Sequence, residues 1–143
     1  MSGKAVKAFS ALEKEAVQLV DALARYGAIK RSAGCLDDDS PIPTMLRSRF
    51  VSKLIMHAEE ACSQLRQIVS EMKAVAARAQ RDADKSEDLV FLQVAFLINE
   101  ETSRKMQLIE KLVPIGEVDD VDFFNSLADA WPSPLHLFPG TLT

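Results

Sequence analysis

A single histidine lies beside acidic residues in the middle of the chain, an arrangement that could bind a metal ion. His57 is followed by Glu59 and Glu60. A carboxylate-bridged dimetal bundle needs Glu-x-x-His from each of two helices. Here the residue three before His57 is Leu54, and the other histidine of the chain, His136, lies near the C-terminal end. We therefore expect His57 to lie at the edge of the apolar face of its helix, at a g position, and not to be a metal ligand.

The two cysteines are the next candidates for chemistry. Cys35 precedes three aspartates at 37–39, but the sequence has no Cys-x-x-Cys, no paired histidine and no Asp-x-Asp-x-Asp-Gly loop. Cys62 falls in an apolar row, where a buried thiol behaves as a small hydrophobic side chain. Gly-x-Ser-x-Gly and glycine-rich phosphate loops are also absent. The sequence thus predicts no catalytic residue, no metal site and no cofactor.

Basic side chains recur along one later segment, and such a pattern could bind nucleic acid. They are Arg66, Lys73, Arg78, Arg81 and Lys85. Acidic residues are interleaved with them, and the chain carries a formal net charge of −4. Because binding to phosphates needs a clustered cationic excess, nucleic acid is an unfavoured partner and remains the weakest alternative.

The element that must position these residues is a stretch without glycine or proline, from Thr44 to Val113. Apolar residues recur in it at alternating spacings of three and four, the seam of a helix that packs on other helices. A third apolar row widens this seam into the stripe of a bundle helix. The seam comprises Val51, Leu54, Ala58, Ala61, Leu65, Ile68, Met72, Val75 and Ala79, and the third row comprises Ile55, Cys62, Val69 and Ala76.

The register of the seam breaks where residues 81–88 are almost continuously polar. We interpret the break as the turn of a helix hairpin, with Ser86 as the N-cap of the next helix. A single continuous rod is the alternative, because no glycine or proline enforces a turn. In the second helix, the uncharged run Leu89–Asn99 suits a buried core helix, and Asn99 at a seam position could fix helix register.

The predicted fold is all-α: an antiparallel, coiled-coil-like helical bundle in one domain over residues 1–143. Three long helices are expected at about 4–26, 43–82 and 87–113, and a short one at about 120–130. Gly27 is the predicted stop of the first helix. Residues 29–43 form an acidic, proline-containing loop, and 131–143 an extended proline-aromatic tail.

The predicted helices have unequal lengths, about 60 Å for the second against about 40 Å for the third. Either the first helix and the C-terminal segment cover the overhang, or a second copy or another protein does; a homodimer or permanent partner is slightly favoured. The C-terminal aromatic segment either packs on the chain's own helices or inserts into a partner. The candidate interaction residues are Leu65, Ile68, Met72, Val75, Phe123, Phe124, Trp131, Leu137 and Phe138.

These patterns favour a non-catalytic interaction protein, an adaptor or structural subunit that acts through helix seams and the aromatic segment. The alternative is a bundle that binds an apolar small ligand, with enzymatic use, between the small residues Ala58, Ala61, Cys62 and Ala95. No segment has the length of a membrane span, and no secretory signal is apparent. A cytoplasmic or nuclear location is the resulting expectation.

Overall fold

A computed structural model describes residues 2–33, 44–112 and 120–132. Four helices account for nearly all of these residues, and no strand occurs among them. The helices are α1 (Ser2–Ala33), α2 (Thr44–Ser86), α3 (Leu89–Glu110) and α4 (Asp120–Ala130). The all-α prediction is confirmed. The cysteine and aspartates of the predicted loop, at 35 and 37–39, and the tail beyond Pro132 lie outside the described residues.

Helix α2 is the centre of the bundle, and its predicted seam is buried from Ala58 to Ala79 except at the half-buried Val75. Leu65 and Met72 are fully enclosed, as is most of the third row, represented by Val69 and Ala76. The wide stripe is needed because both α1 and α3 pack on α2. The heptad pattern therefore located the core of the molecule correctly.

Helix α1 runs antiparallel to α2. Lys4 and Ala8, near the start of α1, line a common pocket with Val75 and Arg78 in the second half of α2. In the sequence, residues 34–43 separate the C-terminal end of α1 from the N-terminal end of α2. Helix α1 also packs against α3 and α4, so it contacts each of the other helices.

The prediction that Gly27 ends the first helix is wrong, because α1 continues to Ala33. Gly27 is buried, and a Cβ atom at this position would lie 3.3 Å from Cγ1 of Val121 on α4. The neighbouring Tyr26 ring meets the Phe124 ring edge-on, with centroids 5.7 Å apart. The glycine thus serves close approach of two helices and not helix termination.

The predicted hairpin between α2 and α3 is confirmed, and the rod is excluded, but the capping residue differs. Helix α2 extends to Ser86, and Glu87 adopts a left-handed backbone conformation with φ of 56°. Asp88 is the N-cap of α3, since its carboxylate accepts a hydrogen bond of 2.8 Å from the Val90 amide. Ser86, predicted as the N-cap, instead donates to the Ala83 carbonyl.

Asn99 ties the two arms of this hairpin together. Its Nδ2 donates to the carbonyl oxygen of Ala76 on α2, at 3.2 Å, and to that of Ala95 on its own helix, at 2.8 Å. A directional bond between helices fits only one axial register. The structure therefore supports the interpretation of Asn99 as a register residue.

Helix α3 departs most from expectation. It spans 89–110 instead of 87–113, and the apolar run at its start is not enclosed. Only Ala95 and Ile98 of that run are buried. Leu89, Val90 and Phe96 are exposed to solvent. None of the helices in the described ranges is long and apolar enough to cross a membrane.

Candidate functional site

The predicted interaction residues are placed mostly inside the molecule. Leu65, Ile68, Met72, Phe124 and Trp131 belong to the buried core, and Val75 and Phe123 pack against it half-buried. Leu137 and Phe138 lie outside the described residues. In the single chain, the described members of the set contact the chain's own helices and are not presented on its surface.

An exposed apolar surface occurs elsewhere, on the first two turns of α3. Leu89, Val90 and Phe96 are 81%, 59% and 60% exposed. We call these three residues the α3 ridge. Isolated exposed apolar side chains are common on soluble proteins. At 100° per residue, Leu89 and Phe96 point in nearly the same direction, two turns apart, whereas Val90 lies about 100° round the helix from Leu89.

The ridge arises because α3 has an unusual distribution of side chains. The stripe that faces the core holds Ala95, Ile98, Thr102 and Lys105 at helical spacing, so it is polar in its second half. At 100° per residue, Leu89 and Phe96 lie on the side of α3 opposite this stripe, and both are in the first half of the helix. The helix therefore buries charge at one end and exposes apolar surface at the other.

The buried charges of α3 form a compact cluster with the end of α4. Glu101 and Lys105 are only 3% and 1% exposed, and Trp131 is 1% exposed. The Lys105 Nζ lies 3.2 Å from Glu101 Oε1 and 4.3 Å from the centroid of the Trp131 ring. Nζ also donates to the Trp131 carbonyl oxygen. We call Glu101, Arg104, Lys105 and Trp131 the junction cluster.

Arg104 completes the cluster from its half-exposed side. Its Nη2 donates to Glu101 Oε1 at 2.6 Å, to the Trp131 carbonyl at 2.9 Å and to the Pro132 carbonyl at 3.2 Å. Its Nη1 donates to the Ala130 carbonyl. Cations at the C-terminal end of a helix satisfy its last carbonyl groups and interact favourably with its dipole. Two cations of α3 thus fix the end of α4.

The pKa of the Lys105 amine is lowered, but its nitrogen is already bonded to neighbouring groups. Burial lowers the pKa of Lys105 from 10.5 to about 8, against the opposing effect of the Glu101 carboxylate. A lysine with such a pKa can act as a base or nucleophile when its nitrogen is accessible. Here Nζ bonds to Glu101 and to the Trp131 carbonyl, beneath a ring. This geometry suits a structural clamp better than a reaction centre.

Sequence reasoning missed the junction cluster. Charged residues are expected at the surface, and nothing nearby in sequence marks Glu101 or Lys105 as buried. The available signal was their position, since Ala95, Ile98 and Lys105 share the stripe that faces the core. Only the packing of α4 explains why that stripe becomes ionic.

A pocket of about 480 Å³ opens beside the junction cluster. We call it the junction pocket. Lys105, Trp131 and Pro132 form one side of it, and α1 forms the other. The lining residues of α1 are Ser10, Glu13, Lys14, Val17 and Gln18. The pocket therefore combines an apolar floor with a polar rim.

The residues first considered for chemistry are placed apart from this pocket. His57 is exposed on α2, whereas Cys62 is buried. Burial raises the pKa of the Cys62 thiol, which keeps it protonated and unreactive at neutral pH. Within the described ranges, no three His, Cys, Asp or Glu side chains are grouped closely enough to hold a metal ion.

The small residues proposed to line a ligand cavity are part of the packed core. Ala58, Ala61, Cys62 and Ala95 all belong to the buried cluster. None of them lines the junction pocket or the smaller pocket of about 240 Å³ between α1 and α2. The basic residues of α2, from Arg66 to Lys85, are exposed.

Two features of the described structure bear on function: the α3 ridge, which is an exposed apolar surface, and the junction cluster with its adjoining pocket. The first is suited to contact with another apolar surface, and the second holds α4 in place. Comparison of the chain with protein-family models, with curated proteins and with solved structures returned no match.

Proposed function

We propose that this chain is a non-catalytic helical interaction protein, an adaptor or a structural subunit of a larger assembly, and that it binds an α-helical partner through the α3 ridge. The observation that carries the proposal is the exposure of Leu89, Val90 and Phe96. The proposed contact moves from the α2 seam to α3, because the seam is already covered by the chain's own helices.

The spacing within the ridge favours a helical partner. Two ridge residues, Leu89 and Phe96, are seven residues apart, which places them along one line of α3 with the polar Gln93 between them, while Val90 lies to the side. A partner helix or a helix-lined groove presents apolar side chains at a matching interval. A second copy of the chain meets this requirement by antiparallel pairing of two ridges, so homodimerisation is one form of the proposal.

The expected strength of the contact follows from its size. Full burial of a large apolar side chain contributes about 1.5–3 kcal/mol, so three such residues contribute roughly 5–9 kcal/mol. The loss of translational and rotational freedom on association costs about 4–15 kcal/mol. The ridge alone therefore supports a weak or transient complex. A permanent one requires additional contacts around it.

The non-catalytic part of the proposal is supported by the bonding of the Lys105 amine and by the protonation of the Cys62 thiol. The buried lysine is bonded on several sides, and the buried thiol is held in its protonated form. A free, buried cysteine is also compatible with a reducing compartment. We accordingly propose a cytoplasmic or nuclear location.

The proposal is tested by a charged substitution in the ridge with a control on the same helix face. Phe96→Glu places a carboxylate where an apolar contact is expected, whereas Gln107→Glu adds the same charge at an exposed position on the same face of α3, outside the ridge. Both variants should keep the helical circular dichroism signal. The experiment is affinity capture from the native cell with quantitative mass spectrometry, followed by reconstitution of the captured complex from purified proteins.

The expected result is a complex that Phe96→Glu weakens by at least tenfold and that Gln107→Glu leaves within about twofold. If the reconstituted complex tolerates Phe96→Glu as well as Gln107→Glu, the ridge is not the contact surface. Light scattering on the purified chain separates the homodimer from a complex with a different protein.

A further inference from the structure

We propose that the junction pocket binds a small aliphatic monocarboxylate, with the carboxylate at the Lys14 amine and the alkyl chain against Val17 and the Trp131 side of the pocket. This inference is independent of the proposed function, because no residue of the α3 ridge lines the pocket. The volume of about 480 Å³ lies within the range of about 300–1,000 Å³ that is usual for small-molecule sites.

The α1 wall of the pocket consists of two rows of side chains. Residues four apart lie along one line of a helix, so Ser10, Lys14 and Gln18 form one row, and Glu13 and Val17 form the next. The first row carries a hydroxyl, an ammonium and an amide, all of which can donate hydrogen bonds. From its first to its last residue this row spans about 12 Å. An elongated ligand that accepts hydrogen bonds therefore fits this wall better than a compact one.

Apolar surface lies beside the donor row. Val17 is 41% exposed, and Trp131 and Pro132, which follow α4, line the other side of the pocket. That side is held in place, because the carbonyls of Trp131 and Pro132 accept hydrogen bonds from Arg104 Nη2. An alkyl chain that covers Val17 removes apolar surface from water, which is favourable in proportion to the area. The ligand thus has an apolar part as well as an acceptor group.

The charges around the pocket favour a ligand with one negative charge. Five charged side chains belong to the pocket or to the adjoining junction cluster: Glu13, Lys14, Glu101, Arg104 and Lys105. Three are cations and two are carboxylates, which leaves an excess of one positive charge. Glu101 pairs with both Arg104 and Lys105, whereas Lys14 has no ion pair or hydrogen bond within the described ranges. A concave site with an excess of one sign of charge attracts ligands of the opposite sign.

The Trp131 indole is a second group without a partner. Its Nε1 is buried and makes no hydrogen bond to any described residue, although Trp131 lines the pocket. Buried polar groups of folded proteins nearly always have a partner, and an unpaired donor is destabilising. A carboxylate provides acceptor oxygens, whereas an alkyl ammonium provides none. Both unpaired groups, the Lys14 amine and the indole, therefore favour a carboxylate.

Fluorescence of the full chain measures binding without a label, because Trp131 is its single tryptophan. The purified chain is titrated with octanoate and, separately, with octanol and octylamine. These two probes keep the alkyl chain and replace the carboxylate by a neutral or a cationic group. Calorimetry on the same samples gives the stoichiometry.

Three substitutions on α1 locate the two parts of the ligand. Lys14→Gln removes the unpaired cation of the pocket. Its control, Lys7→Gln, removes the same charge at an exposed position seven residues earlier on the same line of the helix, outside the pocket. Val17→Ser removes apolar contact and should weaken octanoate and octanol alike.

We expect saturable binding of one octanoate per chain, at least about fivefold tighter than octanol, and no saturable binding of octylamine. Lys14→Gln should weaken octanoate binding at least about fivefold, and Lys7→Gln should change it by less than about twofold. The proposal is overturned if octanoate gives no saturable change, if octanol or octylamine binds as tightly, or if the two lysine variants behave alike. An unchanged octanoate affinity in Val17→Ser would overturn it as well.

Discussion

At the scale of the residue, Lys105 shows how this fold keeps a charge inside. A buried ion without a partner is strongly destabilising, and this one is retained because a carboxylate, a carbonyl group and an aromatic ring surround it. The cluster uses the cation to complete the C-terminal end of α4. The charge is therefore a structural component, and its remaining cost is visible in the lowered pKa of the amine.

The lowered pKa predicts a dependence of stability on pH. The native amine has a pKa of about 8 against 10.5 in the unfolded chain, so between these values the unfolded chain holds the proton more tightly. The free energy of unfolding should therefore increase as the pH rises from about 8 to 10.5 and decrease when the pH is lowered over the same range. The full effect is of the order of 3 kcal/mol.

The measurement is urea unfolding of the natural chain and of Lys105→Met at pH 7.5 and pH 10. Because other groups titrate in both proteins, the difference between their pH dependences isolates Lys105. The titratable and charged groups beside it in the described residues are Glu101 and Arg104 on its own helix and Glu13 and Lys14 on α1. Identical pH dependences in the two proteins would show that Lys105 does not titrate in this window.

At the scale of the element, the helices that follow a regular pattern were predictable, and those shaped by a neighbour were not. The α2 seam was readable because a helix packed on two sides needs apolar residues at every third or fourth position. The uncharged run at the start of α3 is apolar apart from Gln93 and Asn99, so its pattern gave little indication of which residues face outward. Leu89 and Phe96 are exposed there, although the run resembles a buried helix.

Gly27 illustrates the same limit. A glycine after an amphipathic pattern usually marks the end of a helix, and no feature of the surrounding sequence reports the approach of Val121. The junction cluster was equally unreadable, because its partners come from residues 101–105 and 130–132, which no local pattern connects. Long-range contacts of this kind depend on the packing of whole helices.

The close approach at Gly27 predicts the effect of a larger side chain. Gly27→Leu inserts a branched side chain where even a Cβ atom lies 3.3 Å from Val121, so α4 has to move away from α1. Overpacking of this kind costs about 1–3 kcal/mol. The control, Ala28→Leu, adds a similar side chain at the next, exposed position of the same helix.

Chemical denaturation measures the free energy of unfolding of both variants. Gly27→Leu should be less stable than the natural chain, and Ala28→Leu should lie within about 0.5 kcal/mol of it. Equal stabilities of the two variants would mean that α4 does not pack closely on α1 at this position.

At the scale of the whole molecule, helices of unequal length pack together. Helix α2 has 43 residues and α3 has 22, so α3 covers about half of the length of α2. Helix α4 packs on α1, and its Phe124 and Leu127 enter the common core together with Trp131. Because the main contacts of α4 are with α1, the covering of the α2 overhang, by the chain itself or by a partner, stays a prediction.

The surface proposed for a partner lies at the start of α3. Leu89 and Phe96 lie on the helix face opposite the buried stripe, and Val90 lies to the side of it. A homodimer or another assembly remains a prediction, and it requires the ridge to be covered by helical surface from outside the chain. Met56 and Phe50, which are 66% and 46% exposed, are further exposed apolar residues on α2 and point in different directions from that helix.

The most direct test of this account is site-specific photocrosslinking in the native cell. A photoreactive phenylalanine derivative replaces Phe96 in one strain and Met56 in another, so that both probes stand at exposed apolar positions. The account predicts a discrete crosslinked protein, or a crosslinked dimer of the chain, from position 96 at several times the yield from position 56. Equal, diffuse crosslinking from both positions would contradict the claim that the α3 ridge is a partner surface.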